Sequence, residues 1–231
     1  MKYYKILNEE ECHNEFQYQT GLNVDTNEFD PSPECGGGMF YASRDILAFL
    51  DYGCWLREVT IPDGVDIVKV NDWGSQKFKS PEIVLGEREL IDIEVIERLI
   101  AEGVDVTAGD NFAVRWASAY GHTDVVKLLI VHGADVTARD NSAVLWASNN
   151  GHIDVVKLLI EHGADVTAYG NHSILNASEN GHTDVVKLLI ERGADVTARD
   201  NQAIRRASEN GHTDVVKLLI ERGATLNEEL E

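Results

Sequence analysis

Basic residues are scarce in this chain. Lys and Arg number 20 against 40 Asp and Glu, a net charge of -20 over 231 residues. Residues 1–90 hold 8 basic and 17 acidic side chains and residues 91–231 hold 12 and 23, so both halves are acidic. Gripping a phosphate backbone takes clustered Lys and Arg. The chain has no such cluster, which excludes nucleic acid and anionic membrane surfaces as partners. Cysteine is equally sparse. Cys12, Cys35 and Cys54, at spacings of 23 and 19, fit no common zinc motif, and their odd number argues for reduced thiols inside a cell. Long apolar runs are missing as well. Nothing approaches the roughly 20 apolar residues of a membrane-spanning helix, and Met1 to Asn8 has no signal-peptide core. The reading is a soluble intracellular protein of one or two domains, with no metal and no cofactor.

What the chain does have is repetition. Gly121-His122-Thr123-Asp124-Val125-Val126-Lys127-Leu128-Leu129-Ile130 returns at Gly151, Gly181 and Gly211, a period of 30 residues. A fixed period of this size marks a stacked solenoid, whose units hold one another through neighbour contacts. Within one unit, Asn111 precedes a first helix in which Val114 and Ala117 share a face. The small pair Ala117-Ser118 recurs as Ala147-Ser148, Ala177-Ser178 and Ala207-Ser208, which lets helices approach closely. Gly121 ends this helix in a left-handed cap. Thr123 and Asp124 open a second helix, where a hydroxyl suits the free amides and a carboxylate the helix dipole. Val125, Val126, Leu128, Leu129 and Ile130 form its apolar face, and Gly133 stops it. Ala134 to Ala138 reads as an extended link.

The Gly-His-x-Asp-Val-Val-Lys-Leu-Leu-Ile helix and the Gly-Ala-Asp-Val-x-Ala link resemble ankyrin repeats, over about residues 89–227. The resemblance implies an all-α solenoid with repeats at 110–139, 140–169, 170–199 and 200–229, and a protein-binding function on the concave face of the first helices. The period of 30 is shorter than the family's ~33. The family's Thr-Pro-Leu-His start is replaced, for example by Phe112-Ala113-Val114-Arg115. Shortened hairpin fingers follow as an expectation. Asp92 to Gly103 aligns with the second helix alone, which makes residues 89–109 a divergent opening half-repeat. Val215 to Glu221 keeps the internal pattern, and the tail Asn227 to Glu231 is acidic. The expected outcome is a frayed last repeat, or a monomer in weak end-to-end exchange with a homodimer.

Framework positions repeat, so the varying ones are candidates for recognition. Phe112, Trp116 and Tyr120 stand at i, i+4 and i+8, and Trp146 continues this aromatic stripe into the next unit. Aromatic anchors dominate interface energies. The polar continuation holds Asn150, Asn176, Asn180, Arg206 and Glu209. The competing reading is that the stripe packs against the front domain. His122, His152, His182 and His212 recur at one loop position, too far apart to share a zinc at ~2 Å per bond, and read as structural hydrogen-bonding groups.

Residues 1–88 read as a small α+β domain. Lys2 to Leu7, Met39 to Ala42, Trp55 to Ile61, Val65 to Val70 and Glu82 to Leu85 are strand candidates. Asn8 would cap a short helix through Glu9, Glu10 and Glu11. Thr20 to Gly38 is loop-like, and Ser43 would cap an amphipathic helix ended by Gly53. The order Phe16-Gln17-Tyr18, a glycine-rich loop, Phe40-Tyr41, a helix and Leu56-Arg57-Glu58-Val59 resembles leader domains of ankyrin proteins from giant amoeba-infecting viruses. A fainter resemblance is to ADP-ribosyltransferase-like folds, on Gly37, Tyr41, Ala42 and Glu82. That likeness implies an aromatic and a carboxylate acting on a nicotinamide dinucleotide.

The reading that results is a non-enzymatic interaction scaffold of the host cytoplasm that binds a host or viral protein. The alternative is an ADP-ribosyltransferase-like enzyme, active or degenerate, with the repeats as its substrate adaptor.

Overall fold

A computed structural model describes residues 2–13, 16–32, 38–72 and 75–226. The chain divides into two compact units, Met1–Ala113 and Val114–Glu231.

The first unit is built on strands β1 (Tyr3–Leu7), β2 (Cys12–His13), β3 (Phe16–Gln17), β4 (Gly21–Val24), β5 (Met39–Ala42), β6 (Trp55–Thr60), β7 (Val68–Asp72), β8 (Ser75–Ser80) and β9 (Glu82–Leu90). Among the described residues, seven of these form one antiparallel sheet in the order β4-β9-β6-β1-β5-β8-β7, and β2 pairs with β3. Strand alternation sends Tyr3, Leu7, Met39, Tyr41, Val59, Phe78, Ile83 and Leu85 into one core with Tyr18. Tyr3 packs edge-on against Tyr41 and Phe78, with ring centroids 5.2 Å away in each case. Buried among these apolar side chains, Arg57 donates through Nε and Nη2 to the Glu11 carboxylate at 2.7 and 2.9 Å. Its Nη1 donates to Thr20 Oγ1 and Gly86 O. One guanidinium thus closes the 8–20 segment onto the sheet.

The sequence expectation for this unit needs correction at several points. The segment after Asn8 is a turn, with Asn8 Oδ1 accepting from Cys12 N at 2.9 Å and Glu11 in the left-handed region. The loop-like stretch 20–38 contains β4. The helix after Ser43 is a 3-10 helix over Ile46–Tyr52, preceded by Asp45 and without a side-chain cap. Strand β8 was not expected at all, because Lys77 and Lys79 look solvent-facing in the sequence yet are buried. Gly36, Gly37 and Cys35 lie outside the described residues, as does the acidic tail 227–231.

Helix α1 (Ile93–Ala101) opens at Asp92, whose carboxylate accepts from Val95 N at 2.9 Å. It ends at Gly103, and the turn that follows has Asp105 Oδ1 accepting from Thr107 N and Oγ1 at 2.8 and 2.7 Å. Both features return in the links at Gly133 to Thr137, Gly163 to Thr167 and Gly193 to Thr197. Helix α1 belongs to the first unit, where Tyr4 of β1 and Lys2 just before it donate to Glu102. Those two donors hold the Glu102 carboxyl below its usual range.

Helices α2 (Ala108–Ala119), α4 (Ala138–Asn149), α6 (Ala168–Glu179) and α8 (Ala198–Glu209) alternate with α3 (Thr123–Val131), α5 (Ile153–Glu161), α7 (Thr183–Glu191) and α9 (Thr213–Glu221). In the second unit α4, α6 and α8 stack side by side, and α3, α5, α7 and α9 form the adjoining row. Ala143, Val144, Ala147, Ile174, Ala177, Val156, Leu159, Val186 and Leu189 are fully buried between them. The links are not extended. Asp135, Asp165 and Asp195 each accept from the backbone and hydroxyl of the threonine two residues on, making a tight turn. Three successive left-handed residues follow, such as Arg139, Asp140 and Asn141. Among the described residues no strand, and hence no hairpin finger, occurs in a link. Thr123 also does not cap: His122 is the N-cap residue and no side chain closes the helix.

Candidate protein-binding face of the repeats

The repeated positions hold the stack, which separates them from the positions free to bind. His152 Nε2 lies 3.0 Å from Ala119 O, His182 Nε2 3.0 Å from Asn149 O, and His212 Nε2 2.9 Å from Glu179 O. Each imidazole rests on the cap glycine of the preceding repeat. A Cβ on Gly121, Gly151 or Gly181 would stand 2.6, 2.6 or 2.5 Å from that ring's Nδ1. These glycines therefore need both their left-handed backbone and their missing side chain. A second rung escaped the sequence reading. Asn141 Oδ1 accepts from Asp165 N at 2.7 Å, Asn171 from Asp195 N at 2.8 Å, and Asn201 from Thr225 N at 3.0 Å. The signal was there: asparagine recurs at this one slot in all four copies, and it tolerates the left-handed conformation.

The varying slots lie on the first helices. Trp116 is half-buried, Tyr120 is 62% exposed and Trp146 is 48% exposed. The rings of Trp116 and Tyr120 lie 5.1 Å apart, and His122 approaches them at 5.3 and 6.3 Å. Trp116 and Tyr120 thus form one aromatic cluster with His122, a partner the sequence reading had not given them. Phe112 is half-buried and falls in the first unit. Asn150 is exposed, but its Nδ2 donates to Ala119 O at 2.8 Å. Asn180 Nδ2 donates to Asn176 O at 2.9 Å and reaches Asn149 Oδ1 at 3.3 Å. These two asparagines help to hold the stack while remaining at the surface. Arg206 pairs with Glu179 of the preceding repeat, and Glu209 is exposed.

The leader residues singled out for nucleotide chemistry are placed differently. Tyr41 is 3% exposed, stacked on Phe78 at 5.9 Å and bonded through its hydroxyl to Ser80 Oγ at 2.8 Å. Burial pushes its phenol up to about 12. Its ring is occupied by the core and has no face to offer a nicotinamide. Ala42 is buried beside it, Glu82 is half-buried at the start of β9, and Gly37 lies outside the described residues.

Stacked helix pairs on a short period, bound through a recurring Gly-His contact, define a repeat solenoid of the ankyrin class. The family profile described as ankyrin repeats (3 copies) matches residues 89–170 and 169–229, and the chain belongs to that family. Ankyrin repeats are a protein–protein interaction module. A putative ankyrin repeat protein of Acanthamoeba polyphaga mimivirus is 36% identical over 129 residues, 53% of this chain and 63% of that protein. A second from the same virus is 35% identical over 118 residues, 48% of this chain and 38% of the relative. A third, uncharacterized, is 34% identical over 129 residues and covered to 93%. The chain thus spans less than two thirds of the first two relatives. Among the described residues no helix is long and apolar enough to cross a membrane.

Proposed function

We propose that this chain is a non-enzymatic scaffold whose first-helix face captures a host or viral protein in the host cytoplasm. Tyr120, Trp146 and the half-buried Trp116 are its anchors. In this reading residues 1–88 are a leader domain, 89–109 an opening half-repeat, and 110–231 the binding array. One observation carries the proposal. Large aromatic side chains are exposed on α4 and just past the end of α2, at slots that vary, beside repeated positions already hydrogen-bonded to one another. Such rings supply large contact area at low entropic cost. The test is affinity capture from Acanthamoeba extract with the intact chain and with a Tyr120→Ala/Trp146→Ala variant. Specific capture by the intact chain and its loss in the variant are expected. Equal capture by both would remove this face as the binding site.

A further inference from the structure

We infer that the first unit carries a second docking surface, the open half of its sheet, and that its occupant is a Lys- and Arg-rich protein segment with interleaved apolar side chains. This inference is independent of the repeat face. Residues opposite one another in an antiparallel pair share a face. The pairs Leu22↔Val84, Val24↔Glu82, Thr60↔Val84 and Tyr4↔Glu58 therefore put Leu22, Val24, Val84, Thr60, Glu58 and Glu82 on one side of β4, β9 and β6. The reverse side of the same strands is closed, with Asn23, Ile83, Leu85 and Val59 at 3% exposure or less. The near side is open: Leu22 is 50% and Val24 46% exposed, and Thr60 and Glu58 are exposed beside them. β4 is moreover the edge strand, where an exposed apolar pair invites association.

Charge decides the kind of partner. The three segments that build this region, 19–28, 58–68 and 80–87, contain seven Asp and Glu and no Lys or Arg. Four of the unit's cations are inside the fold, Lys5, Lys77, Lys79 and Arg57 at 5%, 8%, 0% and 4% exposure, and the exposed Lys2 and Arg88 already face the carboxylates of Glu102 and Glu11. The strip is rimmed by an excess of carboxylates, with Lys2 near Glu58 held by Glu102, so it attracts a cationic segment and repels an anionic one.

The test is fluorescence anisotropy of a labelled 12-residue peptide alternating lysine and valine, titrated with the intact chain. A glutamate and valine peptide of the same length is the comparator. Leu22→Ser/Val24→Ser should weaken the lysine peptide by about 10-fold or more, the scale of losing a hot-spot contact. Asp184→Asn/Glu191→Gln in the repeats, the same number of changes on another acidic surface, should leave affinity within about twofold. Both variants alter surface positions, and circular dichroism checks their folding. Failure of the lysine peptide to bind, equal binding of the comparator, or equal weakening by the repeat variant would overturn the proposal. None of these outcomes bears on capture through Tyr120 and Trp146.

Discussion

Many polar bonds of the second unit come in sets, whereas the bonds that tie the sheet of the first are made singly. The histidine-to-carbonyl contact occurs between repeats in three copies, and the asparagine-to-amide contact spans a repeat from its first helix to its closing link in three copies. The Arg57–Glu11 pair and the Tyr4–Glu102 bond of the first unit do not recur along the chain among the described residues. A repeated bond distributes stability along an array, so losing one copy weakens one junction. A single buried ion pair concentrates it, so losing one partner strands the other. The same contrast governs surface use. The array keeps its glycine, histidine and asparagine contact positions and varies at other slots of the first helices, and Trp146 sits in one of these.

Breaking the first unit should need only one substitution. Arg57→Met leaves the Glu11 carboxylate with only the more distant Arg88 at 3.9 Å, a loss of about 3 kcal/mol for a buried pair. Denaturant unfolding should then show the sheet unit melting early while the helical signal keeps its midpoint. Coincident loss of both signals would mean that the two units are not energetically separate.

The array is sharpened by comparing two glycines. Gly181→Ala meets both a left-handed φ of 75° and the His212 ring, and should cost about 3 kcal/mol or more. Gly163→Ala has a φ of 97° but open space around it, and should cost only about 1–2 kcal/mol. Equal losses in urea unfolding would show that the imidazole contact adds nothing.

Titration also separates the units. Burial, with the Lys77 charge beside it, pushes the Lys5 amine down from 10.5 to about 7. The unfolded chain then binds more protons than the folded one between those values. Stability of the first unit should rise with pH across that window, by up to about 1.4 kcal/mol per pH unit. Lys5→Met should abolish the slope, and a slope that persists would assign it to another group.

Smaller effects belong to the junctions. Asn171→Ala removes the bond from the first helix to the closing link of its repeat and a residue suited to its φ of 66°, for about 1 kcal/mol in urea unfolding. Ser148→Ala should be neutral or slightly stabilising in the same assay, since Ser148 Oγ is buried without a hydrogen-bond partner among the described residues.

The array was legible in the sequence because its period, small residues and cap glycines act locally. Gly121 and Gly133 stop helices where glycine is expected to. The links were not legible as turns, because Val136 and Thr137 favour extended structure on their own. The asparagine four or five residues later, Asn141, suits the left-handed run that ends the link. In the leader, β8 was hidden because its lysines reach buried partners, with Lys77 over the Phe40 ring at 4.7 Å. Only tertiary contact makes such a residue an interior one. Of the candidate site, the aromatic stripe was legible as spacing. The joining of Trp116 and Tyr120 to His122 was not, since it depends on how the chain turns after Gly121.

The claim at the centre is that the array's stability resides in its repeated contacts and its recognition in its varying slots. The direct measurement pairs the unfolding midpoint of Tyr120→Ala/Trp146→Ala with its partner capture. We expect a midpoint unchanged within about 1 kcal/mol, as for exposed substitutions, together with loss of capture. A variant that unfolds easily while still capturing its partner would contradict the account.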